Sequence, residues 1–190
     1  IREEKRLPLN LQEEQEIAYK NVAGSFGSEI THLLYGVTGS GKTHVFMRLM
    51  DDIVAQGKTV LMMVPEIALT PQMLDRFYRR YGDCVSVLHS GLSIGEKADE
   101  WKKIHRGEAK IVVGTRSAVF APLQNLGLII IDEEHESTYK SETSPRFHTR
   151  DIARFISHHE QIPVLLASAT PSMESYYAAE RGQYELQTLS

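Results

Sequence analysis

The chain has 190 residues, with 21 basic and 25 acidic side chains for a formal net charge of −4; 42% are hydrophobic and 24% charged. That length suits about one domain and supports a core without covalent staples. A single cysteine, Cys84, excludes an internal disulfide framework and a multi-cysteine zinc site, and no apolar run approaches the roughly 18 residues of a membrane span.

No leader pattern is visible, so a reducing, cytoplasmic setting is expected. Net acidity does not argue against a nucleic-acid partner, because it averages over a surface on which a small basic groove can sit. The chain opens at Ile1 and stops just after a strand-like run, Tyr184–Leu189, so it reads as a piece of something longer.

In chain order, Asn10 and Glu13 are placed to cap a helix that carries Gln12 and Gln15. Thr31–Tyr35 is the first strand pattern, followed by Thr59–Val64, Val85–Leu88, Lys110–Val113, Leu128–Ile131 and Val164–Ala167. These runs are almost continuously apolar, as strands covered on both faces are. Helical patterns lie between them. Arg76, Arg79 and Arg80 are expected on a solvated helix face. The clearest helix is Ser93–Arg106, with a capping box from Ser93 to Glu96. Ile94, Ala98, Trp101 and Ile104 recur at helical spacing, which predicts that Trp101 belongs to the core. Lys102, Lys103 and Arg106 fall where the helix dipole favours cations. Such alternation predicts an α/β fold with a mainly parallel sheet and helices on both faces, its ligands received at the carboxyl ends of the strands.

Two of those ends carry chemistry. After the first strand comes Gly36-Val37-Thr38-Gly39-Ser40-Gly41-Lys42-Thr43, a full match to G-x-x-x-x-G-K-[ST]. Its glycines let backbone N–H groups turn inward around phosphate oxygens, and the next helix points its positive end at the same anion. Lys42 is expected on the β- and γ-phosphates of a nucleoside triphosphate, and the Thr43 hydroxyl on Mg²⁺. Leu128–Ile131 ends in Asp132-Glu133-Glu134-His135. Asp132 is expected to hold the Mg²⁺ shell, and Glu133 to orient and deprotonate the attacking water. His158 and His159 lack a supporting ligand pattern and read as surface residues.

Further segments carry a resemblance. Val64–Gln72 resembles helicase motif Ia, Gly114–Pro122 motif Ib, Asp132–His135 the DEEH form of motif II, and Ser168-Ala169-Thr170 motif III of superfamily 2 helicases. With His89–Ser93 and the run from Asp132 to Lys140, the wording of these blocks resembles the primosomal protein N-prime (PriA) family of bacterial replication-restart DNA helicases. The resemblance runs from about Leu11 to Ser175 and corresponds to that family's first RecA-like motor lobe. It implies a single ATP-binding lobe over residues 1–190. Its partners would be single-stranded and forked DNA, a second motor lobe, primosome proteins and single-strand-binding proteins. It implies 3′-to-5′ movement and replisome reloading at stalled forks, and it puts zinc in a cysteine-rich module outside this chain. The cofactors are then ATP and Mg²⁺.

The resemblance also selects residues. Among Gln12, Gln15 and the flanking acids, the resemblance selects Gln15 as the reader of adenine, since an amide offers the donor and acceptor that adenine N6 and N7 require; the plain alternative is a polar surface position in a Gln/Glu-rich helix. Thr70, Gln72, Thr115, Arg116 and Ser117 fit phosphate contacts, with helix capping by Thr70 and Thr115 as the plain alternative. Ser168 and Thr170 are implied in coupling. Tyr139, Lys140, Arg146, Phe147, His148 and Arg150 interleave aromatics with cations, a composition that stacks bases and tracks phosphates. The alternative for that segment is a surface loop with Phe147 plugged into the core. The P-loop and acidic strand end alone also suit a P-loop kinase, a small-molecule ATPase or a non-catalytic ATP-gated assembly module.

Overall fold

A computed structural model of the chain describes residues 9–37, 40–133, 148–170 and 173–190. Seven strands form one sheet: β1 (Thr31–Gly36), β2 (Thr59–Met63), β3 (Val85–Leu88), β4 (Ile111–Gly114), β5 (Leu126–Asp132), β6 (Val164–Ser168) and β7 (Glu185–Leu189). Their order is β3-β4-β2-β5-β6-β1-β7, and every pairing is parallel. All six internal strand patterns and the last run, Tyr184–Leu189, fall on strands, though Val64, Lys110 and Tyr184 lie just outside them. β5 is longer than its apolar run and carries Asp132 within the ladder, opposite Ala167.

Successive strand residues feed opposite layers, which is why the strands read as unbroken apolar runs. Leu34, Val60, Met62, Ile130 and Leu165 face one core, shared with α1 (Glu13–Ala23), α2 (Lys42–Ala55) and α3 (Pro71–Tyr81). Leu33, Leu61, Met63, Ile129 and Leu166 face the other, covered by α4 (Ile94–His105), α5 (Thr149–Glu160) and α6 (Met173–Glu180). The result is a three-layer α/β/α fold. Among the described residues, no helix is long and apolar enough to cross a membrane.

Several sequence expectations are corrected. The cap of α1 is Gln12, whose backbone N–H donates to the Gln15 carboxamide oxygen at 2.8 Å; Asn10 and Glu13 do not form it. Helix α4 has the expected Ser93 cap, with Glu96 N–H donating to the Ser93 hydroxyl at 3.1 Å. Its apolar spacing, however, does not mark a buried face. Ile104 is fully buried, whereas Ala98 is exposed, Ile94 is 90% exposed and Trp101 40%. The helix lies at the sheet margin over β3, where one line of residues suffices for contact. Lys103 there donates to the edge carbonyl of Val85 at 3.0 Å. Arg80 is not on a solvated face. It pairs with Asp51 of α2 through its Nε at 3.1 Å and through a second guanidinium nitrogen, beside the Tyr81 hydroxyl, which donates to Asp51 at 2.8 Å. Arg79, in contrast, is exposed and meets Asp75 one turn away. His158 and His159 are on the surface, His158 against Glu29 at 2.7 Å.

Candidate nucleotide and nucleic-acid site

The carboxyl edge of the sheet divides into two halves. In one, β1 and β5 flank β6, so Gly36, Asp132 and Ser168 end three adjacent strands. At about 4.8 Å per strand, the phosphate turn and the acidic end are separated by roughly 10 Å. The sequence places them ninety-odd residues apart; the crossover order brings them together.

The described part of the turn is built for close approach. Gly41 has φ +82°, the left-handed region, and starts α2. A Cβ there would lie 2.0 Å from Gln15 Nε2, and a Cβ on Gly36 would lie 2.7 Å from the Ser40 hydroxyl. Lys42 donates to the Gly36 carbonyl at 2.7 Å, so its ammonium closes the turn. The Ser40 hydroxyl is buried with no hydrogen-bond partner among the described residues. A turn with an unpaired hydroxyl, an ammonium across its mouth and a helix N-terminus behind it fits a phosphate group. Thr38 and Gly39 lie outside the described residues.

Gln15 is buried between α1 and this turn. Its Nε2 donates to the carbonyls of Ser40 at 3.1 Å and Gly41 at 3.5 Å, while its oxygen accepts from Gln12. The amide that sequence reasoning assigned to adenine is thus engaged within the chain. That latch left no pattern in the sequence, because it depends on how α1 lies over the turn. The Tyr19 hydroxyl donates to Asp52 and Arg48 stacks over the Tyr19 ring at 4.6 Å, fixing α1 to α2.

Asp132 and Glu133 are half-buried at the end of β5. Glu133 has φ +52°, and its N–H donates to the Asp132 carboxylate at 3.0 Å. A non-glycine residue in that region is held there by its surroundings, here in part by its hydrogen bond to Asp132. The two carboxylates follow one another at the edge, next to the ends of β6 and β1. Ser168 is fully buried and accepts from the Thr170 N–H at 2.9 Å, while Thr170 is exposed. Ser168 therefore shapes the turn and is not itself a surface contact.

The other half of the edge carries the remaining polar candidates. Thr70 caps α3 by accepting from Met73 N–H at 3.2 Å, with Pro71 in the first turn. Gln72 is exposed. Thr115 precedes a short 3-10 turn, Arg116–Phe120, but makes no side-chain cap bond; it is buried, Arg116 half-buried and Ser117 exposed. These residues leave β2 and β4, which are neighbours, so they share one surface beside the acidic end of β5, with β5 and β6 between it and the phosphate turn.

Tyr139, Lys140, Arg146 and Phe147 lie outside the described residues, as do Glu134 and His135. His148 caps α5, its Nδ1 accepting from Arg150 N–H at 3.0 Å. Arg150 is only 8% exposed, and its guanidinium donates to the buried Ser175 hydroxyl at 3.2 Å. It ties α5 to α6 and is not presented as a surface cation. Its place in the first turn of an amphipathic helix decides this, which the cationic composition of the segment obscured.

The model of the DEAD/DEAH box helicase family matches residues 13–178. The chain is 52% identical over 184 residues to the replication restart protein PriA of Bacillus subtilis (strain 168), covering 96% of this chain and 23% of that protein. It is 43% identical over 190 residues to replication restart protein PriA of Haemophilus influenzae, covering 100% of this chain and 26% of that protein. The chain thus spans about a quarter of the length of the curated relatives it matches. Among solved structures, RecG bound to a three-way DNA junction matches with a TM-score of 0.70 and 23% identity, over 98% of this chain and 25% of that one. The Pyrococcus furiosus Hef helicase domain matches with a TM-score of 0.65 and 22% identity, over 92% and 37%. These structural likenesses establish a RecA-like fold.

Proposed function

The chain belongs to the DEAD/DEAH box helicase family, and from that premise we propose that it is one RecA-like, ATP-binding motor lobe of a replication-restart DNA helicase. The observation that carries the reading is the juxtaposition of the Gly36–Thr43 turn and Asp132 across β6 at one sheet edge. The likeness to PriA proteins over most of the chain supports the restart role. Single-stranded and forked DNA are the substrates in this account. A second motor lobe, primosome proteins and single-strand-binding proteins are the partners, in the cytoplasm.

The turn would hold the phosphates of ATP, with Lys42 exchanging the Gly36 carbonyl for a phosphate oxygen. Thr43 and Asp132 would hold Mg²⁺, which when bound offsets the charge that develops on the phosphates. Glu133 is a base at the strand end, placed to orient water and take its proton. Gln15 reads adenine in this account by exchanging the Ser40 and Gly41 carbonyls for the base edge. Thr70, Gln72, Thr115, Arg116 and Ser117 receive strand phosphates, either directly or by shaping the loops. Ser168 and Thr170, at the end of β6, serve the coupling of nucleotide to strand, Ser168 by shaping the turn that presents Thr170.

The test is binding of a fluorescent ATP analogue with Mg²⁺ to the wild-type chain and to Lys42→Ala. The reading expects saturable wild-type binding that weakens at least about tenfold in the variant, the loss of one charge-assisted contact. Equal binding by both proteins contradicts it.

A further inference from the structure

Glu66 is out of place by charge on a surface read as receiving phosphates. It lies in the 3-10 turn Glu66–Ala68 that follows β2, between Val64 and the Thr70 cap of α3. Its carboxylate oxygen accepts from the Ser90 hydroxyl at 2.7 Å and from the Ser90 N–H at 3.3 Å. Ser90 lies in the loop after β3, where Gly91 N–H donates to His89 Nδ1 at 3.0 Å. β2 and β3 are not neighbours, because β4 lies between them. Two strand spacings, roughly 10 Å, therefore separate the loops that Glu66 joins. The bridge passes over the end of β4, where Val64 N–H donates to Gly114 at 2.9 Å and Thr115 N–H to Leu88 at 3.1 Å. The hydrogen bonds from Ser90 also hold the Glu66 carboxyl below its ordinary range, so it stays an anion.

We infer that Glu66 is a positioning residue: by gripping the Ser90 hydroxyl and amide across the top of β4, it fixes the loops after β2 and β3 as one surface flanking Thr115–Ser117, on which strand phosphates are received. The inference rests on the reading of this edge as the DNA surface. It explains why an anion is tolerated there. The carboxylate keeps its charge, but its two neutral donors satisfy it, and the order it gives the residues around it offsets its repulsion of phosphate. The Gln15 and Lys42 turn lies on the other half of the edge, so nucleotide affinity is independent of the bridge.

The test is fluorescence anisotropy with a labelled oligo-dT strand, using the full-length protein that carries this chain as wild type, Glu66→Gln, Glu66→Ala and Ser90→Ala. ATP-analogue affinity and thermal melts are measured alongside. Glu66→Ala and Ser90→Ala are each expected to weaken DNA binding about fivefold, the scale of one lost hydrogen-bonded contact. Glu66→Gln, whose amide oxygen accepts from the same donors, is expected to stay within about twofold of wild type. ATP-analogue affinity and melts should be unchanged, because Glu66 and Ser90 are exposed. If Glu66→Gln and Glu66→Ala both strengthen binding equally, the carboxylate acts only as a repelling charge and the inference fails. It fails too if Glu66→Ala binds DNA as the wild type does. A wild-type protein that does not bind the strand overturns the DNA reading itself.

Discussion

Gly41 has two constraints on it at once. Its φ of +82° disfavours any side chain, and a Cβ would collide with Gln15 Nε2 at 2.0 Å. Gly41→Ala is therefore expected to cost about 1–2 kcal/mol of stability and to displace Gln15 from the turn. Chemical denaturation measures the first effect and nucleotide binding the second. His32 offers a different handle. It is fully buried in β1, and the Ser25 hydroxyl, which donates to the Val22 carbonyl at 2.6 Å, must accept from His32 Nε2 at 2.8 Å. That leaves Nδ1 bare and without a hydrogen-bond partner among the described residues, 3.7 Å from Glu185. Burial pushes the imidazole below its ordinary value of 6.5, with Glu185 opposing. The unfolded chain thus binds this proton more readily than the folded one. Stability from this group is present above pH 6.5 and is lost as the pH falls through the depressed folded value. His32→Gln should flatten the decline in denaturation midpoint between about pH 7.5 and 5.5. An unchanged decline contradicts the assignment.

At the scale of elements, α3 is held to α2 by the Arg80–Asp51–Tyr81 cluster, whose charges are mostly out of water. Burial, then Asp51, raises the Tyr81 hydroxyl well above its ordinary range, so it remains a donor. Asp51→Ala leaves Arg80 without its carboxylate and is expected to cost about 2–4 kcal/mol, read as a lower urea midpoint. Helix α4 makes the opposite prediction. Its Trp101, the one tryptophan in the chain, is partly exposed, so acrylamide should quench its fluorescence in the folded protein nearly as well as in the unfolded chain. Strong protection would contradict this placement. The two cases mark what the sequence made legible. Strand runs such as Leu128–Ile131 were readable because burial on both faces leaves no polar alternation. The Gly36–Thr43 turn was readable because a phosphate-binding pattern restricts residue type at Gly36, Gly41, Lys42 and Thr43. The apolar spacing of Ile94, Ala98 and Trp101 shows a stripe but not what covers it, and at a sheet margin the layer runs out. Arg80 and Arg150 read as surface cations because composition does not show which acceptor a neighbouring helix will supply. The Gln15 latch and the Glu66–Ser90 bridge were illegible for the same reason, the first being set by how α1 lies over the turn and the second by strand order.

At the scale of the molecule, the crossover order makes one edge serve two purposes. The β5-β6-β1 half gathers the phosphate turn and the acids, and the β2-β4-β3 half gathers hydroxyl, amide and guanidinium groups. On the proposed reading, nucleotide and strand are neighbours on this lobe, and a second lobe completes the γ-phosphate site. This chain alone is accordingly expected to bind nucleotide weakly and to hydrolyse it poorly. DNA-stimulated turnover by the 190-residue chain equal to that of the longer protein would contradict this. The account as a whole meets its most direct test in the ATPase rate of the full-length protein that carries this chain, measured with and without single-stranded DNA across a salt series, as wild type and Glu133→Gln. The account predicts stimulation that falls as salt rises, and in Glu133→Gln retained ATP binding with turnover reduced at least about a hundredfold. A wild-type rate indifferent to DNA at every salt concentration, or full turnover in Glu133→Gln, would contradict it.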